Sequence, residues 1–149
     1  MKKRYQLLIL IFITVLLVMG YKKYFFTLEH LGQGIYYKGP VYSPNGKYTA
    51  DSYYKTWGGA TGGAHIWVEI TNNENSEARN IYYSNGKSNF SMEWKDDNVI
   101  YIRNDEGPEY PDSDRSIELE IGKEVYDESG RVCDSWIMKN EFETCYQNE

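Results

Sequence analysis

The sequence predicts a mainly β protein: a single N-terminal transmembrane helix followed by a small antiparallel β-meander, sandwich-like, of about seven strands. Three observations predict it. The run YQLLILIFITVLLVMGY, Tyr5 to Tyr21, carries no charge and is bracketed by Lys2-Lys3-Arg4 and Lys22-Lys23. From residue 34 onward, apolar and polar residues alternate with the period of a half-buried strand. Short connectors rich in Gly, Asn and Pro separate these stretches, and they are too short for the crossovers that parallel pairs need.

The apolar run decides where the chain sits, because a segment this apolar does not stay in water. As a helix, its seventeen residues span about 26 Å, the short end for a hydrocarbon core of about 30 Å. Lys22 and Lys23 can snorkel to make up the difference, with Tyr5, Tyr21, Tyr24, Phe25 and Phe26 as interfacial rings. The expected organisation is a membrane anchor over 1–26 (helix about 5–21), a connector over 27–33 and an extracytoplasmic β domain over 34–149, its tail 127–149 irregular. Three basic residues precede the run and two follow it, which expects a single pass with the amino terminus inside and the domain outside the cell. The alternative is a signal peptide with its core at Leu7–Met19, cleaved near Gly20 to release the domain. Tyr21, Lys22 and Lys23 directly after that point disfavour cleavage, and the lack of a Cys near the end of the run excludes a lipoprotein. Both readings export the domain.

Beyond the anchor, residues 24–149 hold all 22 Asp and Glu against 11 of the 16 Lys and Arg, a formal charge of −11. Such a surface repels nucleic acid and anionic lipid, and it attracts cations or basic partners. The 15 tyrosines favour strands and tolerate partial exposure. Cys133 and Cys145 can form a disulfide outside the cell; with no paired His they make no zinc site.

The clearest strand is Ala64 to Thr71, with Ala64, Ile66, Val68 and Ile70 on one face and His65, Trp67, Glu69 and Thr71 on the other. Phe90, Met92 and Trp94 alternate with Ser91, Glu93 and Lys95, as Ile117, Leu119 and Ile121 do with Ser116, Glu118 and Glu120. Lys47–Lys55, Arg79–Tyr83, Val99–Arg103 and the weaker Ile35–Tyr42 complete the set. Ser43-Pro44-Asn45-Gly46 has turn chemistry, and Ser84-Asn85-Gly86-Lys87 carries the Asn-Gly hairpin signal. Asn72–Ser76 and Lys95–Asn98 are polar connectors, and Asn104–Asp114 is a polar loop with two prolines. In the tail, Asp134 is a candidate cap for a short helix through Ser135–Met138.

Chemistry-bearing motifs are sparse. Gly58, Gly59, Ala60, Thr61, Gly62 and Gly63 lack the Lys and the following helix of a P-loop, so they read as a glycine-permitted hairpin loop or a backbone-amide nest. His65 sits on a polar strand face without a nucleophile in its pattern, and His30 falls in the connector, where it is expected to be solvated. Asp105, Glu106, Glu109, Asp112 and Asp114 crowd one loop and are weak cation-site candidates through hard oxygens. Counted from Asp112, Ile117 and Lys123 stand where an EF-hand needs Gly and Glu. Glu93, Asp96 and Asp97 are a weak glycosidase-like carboxylate set, and the Asp pair sits in a turn. Trp67, placed on the polar face, is a candidate to join other aromatics in an exposed contact patch.

In order along the chain stand Ser43-Pro44-Asn45-Gly46-Lys47-Tyr48, Gly58-Gly59-Ala60-Thr61, Asn80-Ile81-Tyr82-Tyr83, Glu93-Trp94 and Asn98-Val99-Ile100. With the basic-apolar amino terminus, this order resembles a family of small membrane-anchored proteins of unknown function from Bacillus and related Gram-positive bacteria. The likeness covers roughly 1–127, and the tail with Cys133 and Cys145 departs from it. The resemblance implies membrane attachment and a β domain, and it transfers no catalytic residue. Ser43–Lys47 and Glu93–Ile102 also look like a blade of a periplasmic-type β-propeller, but one or two blades cannot close a ring.

The function expected is therefore a non-enzymatic, membrane-tethered binding or accessory domain at the cell envelope. It would engage a protein or envelope component through a sheet face or the Gly-rich loop, with Gly58, Gly59, Thr61, Gly62, Gly63, His65 and Trp67 as the candidate binding set. No cofactor and no nucleic acid are expected, and the oligomeric state is open. The alternatives are an envelope hydrolase using surface carboxylates and a weak cation-responsive sensor.

Overall fold

A computed structural model describes residues 2–59 and 61–148, with the side chains of Lys2, Lys3 and His30 excepted. Ala60 of the Gly-rich loop and the His30 side chain thus lie outside the described residues.

The apolar run forms α1 (Lys2–Tyr24), longer than the 5–21 expected because the flanking Lys and Tyr continue the helix. Its span Arg4–Tyr24 contains an 18-residue window with a mean hydropathy of 1.9, none of which is buried in the rest of the protein. By length and composition it fits a membrane anchor or a signal sequence alike.

Nine strands follow among the described residues: β1 (Ile35–Tyr42), β2 (Tyr48–Trp57), β3 (Gly63–Asn72), β4 (Glu77–Asn85), β5 (Asn89–Trp94), β6 (Val99–Asp105), β7 (Ile117–Glu120), β8 (Glu124–Asp127) and β9 (Thr144–Tyr146). Between β8 and β9 lie two short helices, α2 (Arg131–Asp134) and α3 (Trp136–Glu141). The mainly β class holds, with seven strands close to where alternation placed them. β8 and β9 are additions: β8 ends where the tail expected to be irregular begins, and β9 lies within that tail.

The strands form two sheets, one in the order β1-β2-β3-β4-β8-β9 and the other β5-β6-β7. β1 to β4 pair antiparallel through tight turns. In the first turn the Gly46 amide bonds the Ser43 carbonyl at 2.9 Å, and Gly46 has a φ of 72° that a side chain would resist. Two expectations need correction. Asn85-Gly86 does not close a hairpin; it carries the chain from β4 across to β5 in the other sheet. The pairs β4–β8 and β8–β9 are parallel, because the β5–β7 excursion and the α2–α3 segment supply the long crossovers that parallel pairing requires.

The sheets pack face to face. Ala50, Ile66, Val68, Ile70 and Tyr82 of the larger sheet meet Phe90, Ile100, Ile102 and Leu119 of the smaller one, all buried. The alternation of Ile66, Val68 and Ile70 read from the sequence is thus the core face, held by burial of apolar area. A buried polar node stitches the sheets together. The Asn104 side-chain amide donates to the Tyr82 hydroxyl at 2.8 Å and the Asn85 carbonyl at 2.9 Å, while its oxygen accepts from the Lys87 amide at 2.8 Å. Trp94 donates to the Val41 carbonyl at 3.0 Å and stacks on Tyr48, tying β5 to the first hairpin.

The connector is not a free linker. A 3-10 turn, Leu28–Leu31, lies on the other face of the larger sheet. Leu28 is fully buried, and the Asn80 side chain donates to its carbonyl at 3.2 Å. A Cβ on Gly34 would strike the Trp67 indole and Tyr53, so only glycine lets the strap lie this close. The tail is stapled by the disulfide Cys133–Cys145, whose Cα atoms are 5.4 Å apart.

Candidate functional site

The face of the larger sheet opposite the core is lined with rings. One register row runs Tyr36, Tyr53, Trp67 and Tyr83 across β1 to β4. Tyr36 meets Tyr53 edge-on at 6.0 Å between centroids, and Tyr53 stacks on Trp67 at 6.1 Å. Beside this row His65 lies between two rings, stacked on Trp57 at 5.8 Å and tilted against Tyr83 at 5.3 Å. Cross-strand neighbours on one face are close enough for such contacts, and that is why β-branched and aromatic residues recur there.

Trp67 does not join an exposed patch. It is 4% exposed, sealed by Gly34 of the strap and by Tyr53. A strand's alternation marks which residues share a face, not whether a later segment covers it. Outside this row, Trp57 is 50% exposed beside the Gly-rich loop. That loop joins β2 to β3 with Trp57 opposite Gly63, as the sequence expects of a hairpin connection. Gly58 has a φ of 72°, and a Cβ on Gly62 would collide with the Trp57 carbonyl. The Gly62 amide is spent on the Gly59 carbonyl at 3.0 Å, closing the turn, while Thr61 is exposed at the tip.

From His65 a cleft continues along Tyr83, Asn85, Glu128, Ser129, Arg131 and Asn148. The His65 Nδ1 is buried with no hydrogen-bond partner among the described residues. Glu128, in contrast, is fully engaged. Burial pushes its carboxyl up, but the Asn85 amide, Arg115 and Ser84 together outweigh that and hold it below the ordinary carboxylate range. Its contacts are 2.6 Å to the Asn85 amide, 2.8 Å to the Ser84 hydroxyl and 2.8 Å to the Arg115 guanidinium. The cleft wall is thus rigid, with one orphan ring nitrogen at its edge.

Asp51 and Glu69 form the next row of the same face, and the sequence reading missed them as a pair. Burial raises both carboxyls, and the Asp51 charge raises Glu69 further, partly offset by a hydrogen bond from Tyr53. The signal available was register: two acidic residues equidistant from the Gly-rich hairpin, Asp51 before it and Glu69 after it.

The acidic loop does not gather its side chains. Asp105 bonds Arg103 and Asn89 and is lowered to about 2, with the Arg103 hydrogen bond as first cause and Asn89 as second. Glu106 accepts from Ser88, Asp114 accepts from the Ser116 amide, and Asp112 contributes only its carbonyl, to Arg115. Among the described residues no group of three or more His, Cys, Asp or Glu converges as a metal site. Glu93 pairs with Lys95 at 3.2 Å, and Asp96 accepts from the Asp97 amide.

A model of a family of unknown function, DUF5412, matches residues 2–109. The chain belongs to the DUF5412 family. No curated protein and no solved structure matches it. The DUF5412 match runs from α1 through β6 and takes in the Tyr36–Tyr53–Trp67–Tyr83 row together with Trp57 and His65. Glu128, Arg131 and the disulfide lie beyond it, in the part of the chain that completes the cleft.

Proposed function

We propose that this DUF5412 protein is a membrane-tethered, non-enzymatic binding domain on the outside of the cell, holding a protein or envelope component against the Trp57–His65–Tyr83 file and its adjoining cleft. The observation that carries this reading is the His65 ring, clamped between Trp57 and Tyr83 with Nδ1 out of water and unpartnered among the described residues. A buried polar atom without a partner costs free energy that a ligand donor or acceptor would recover. Exposed Trp57 supplies flat apolar area beside it, of the kind that anchors recognition surfaces. The apolar α1 supports retention at the membrane, and the excess of basic residues before it supports an external domain.

Crosslinking in intact cells tests the proposal. The wild-type chain should yield one reproducible partner, and Trp57→Ala and His65→Ala should each abolish its recovery while circular dichroism stays unchanged. A partner recovered equally from both variants, or none recovered from the wild type, overturns it.

A further inference from the structure

We infer that the last turn of α1 and the disulfide-stapled tail form a seat for anionic lipid headgroups, so that the domain stands on the bilayer surface instead of hanging from its helix. This rests on reading α1 as a retained anchor. Tyr24 lies three residues beyond Tyr21, where the apolar run ends, or about 4.5 Å further along the helix. A polar layer of roughly 5–7 Å borders the hydrocarbon on each side, so Tyr24 sits within it.

The tail is locked to this depth. The Trp136 ring is 4.9 Å from Tyr24 and 6.3 Å from Phe25, centroid to centroid. The Ser135 hydroxyl donates to the Tyr24 carbonyl at 3.4 Å, and Lys23 pairs with Asp134 at 3.7 Å. The Arg131 guanidinium lies 5.3 Å over the Phe26 ring. Met138, 1% exposed, holds one side of α3 in the core, while Trp136 and Ile137 are left 59% and 36% exposed beside the membrane helix. An amphipathic indole at the headgroup boundary is where Trp is most stable in a bilayer.

Charge points to the same occupant. A groove between α1 and α2 brings Lys22, Lys23 and Arg131 together against one carboxylate, Asp134. Among the described residues neither Lys22 nor Arg131 has an ion-pair partner. The cations therefore collect at the base of a domain whose formal charge is −11. Lipid phosphate is the anion at that depth, and each basic residue near an anionic surface adds to the attraction. The acidic remainder is repelled by the same surface, which leaves this basic base as the part of the domain that meets the headgroups.

The test uses the full chain reconstituted into vesicles, with acyl-brominated lipid as a shallow quencher of tryptophan fluorescence. Vesicles of phosphatidylcholine alone are compared with vesicles containing phosphatidylglycerol. Quenching of the wild type should be stronger with phosphatidylglycerol, and Trp136→Phe should remove most of it. Lys22→Gln combined with Arg131→Gln should erase the difference between the two lipid mixtures while leaving the circular dichroism unchanged. Equal quenching in both mixtures, or quenching unaffected by Trp136→Phe, overturns the seat while leaving the anchor intact. A chain that fails to float with vesicles at all overturns the anchor reading and the seat with it.

Discussion

Asp51 and Glu69 stand directly opposite each other across β2 and β3, two like charges at one register position on the ringed face of the larger sheet. Opposed like charges in a sheet destabilise it, and partial burial makes each more costly to ionise. Burial raises both carboxyls from ordinary values of 3.8 and 4.5, and the Asp51 charge raises Glu69 further. The native state then binds more protons than the unfolded chain just above those values. Stability from this pair is fully present below them and is lost as pH rises through the raised native values. Asp51→Asn should therefore be more stable than the wild type at neutral pH, by about 0.5 kcal/mol. The gain should vanish below pH 3.8. Denaturant unfolding of both chains across the acid range checks this, read as the difference between them, since Asp105 and Glu128 are lowered and drive stability the opposite way.

Asn104 joins the sheets without contributing apolar area. Its replacement by Leu should cost about 2 kcal/mol, because the Tyr82 hydroxyl and the Lys87 amide lose a buried partner. Chemical denaturation followed by tyrosine fluorescence measures it. A variant as stable as the wild type would show that water replaces the amide.

Gly34 permits the strap to lie on Trp67. Gly34→Ala should lift the strap and cost about 2 kcal/mol through overpacking. The Trp67 emission should shift to the red as water reaches the indole. An unchanged spectrum would mean that the strap does not seal this face.

The disulfide closes a loop with a sequence separation of 12. Cys133→Ser with Cys145→Ser should lower stability by about 3 kcal/mol on the chain-entropy account. It should also loosen α2 and α3 from Tyr24, visible as faster amide exchange at residues 131–141.

Much of the architecture was legible in the sequence because it is local. The apolar run marks α1, and alternation in Ile66, Val68 and Ile70 marks a core face. The Gly58–Gly63 hairpin follows from residues that tolerate positive φ. What was not legible depends on distant pairings. Asn85-Gly86 has the local chemistry of a hairpin, yet the chain crosses there to another sheet. β8 spans only Glu124–Asp127, too short to show a period, and exists because β4 offers it a parallel edge. Trp67 alternates as an outward residue but is covered by a strap more than thirty positions earlier in the chain. The Asp51–Glu69 pair and the clamp on His65 emerge only once register is known.

The central claim, a retained anchor displaying this domain outside the cell, is tested most directly by proteolysis of intact cells, sizing the chain that remains with the membrane fraction. The account predicts an uncleaved 17.5 kDa chain in membranes whose domain is degraded by external protease before lysis. Full protection until the cells are opened, or a shortened chain free in the medium, would contradict it.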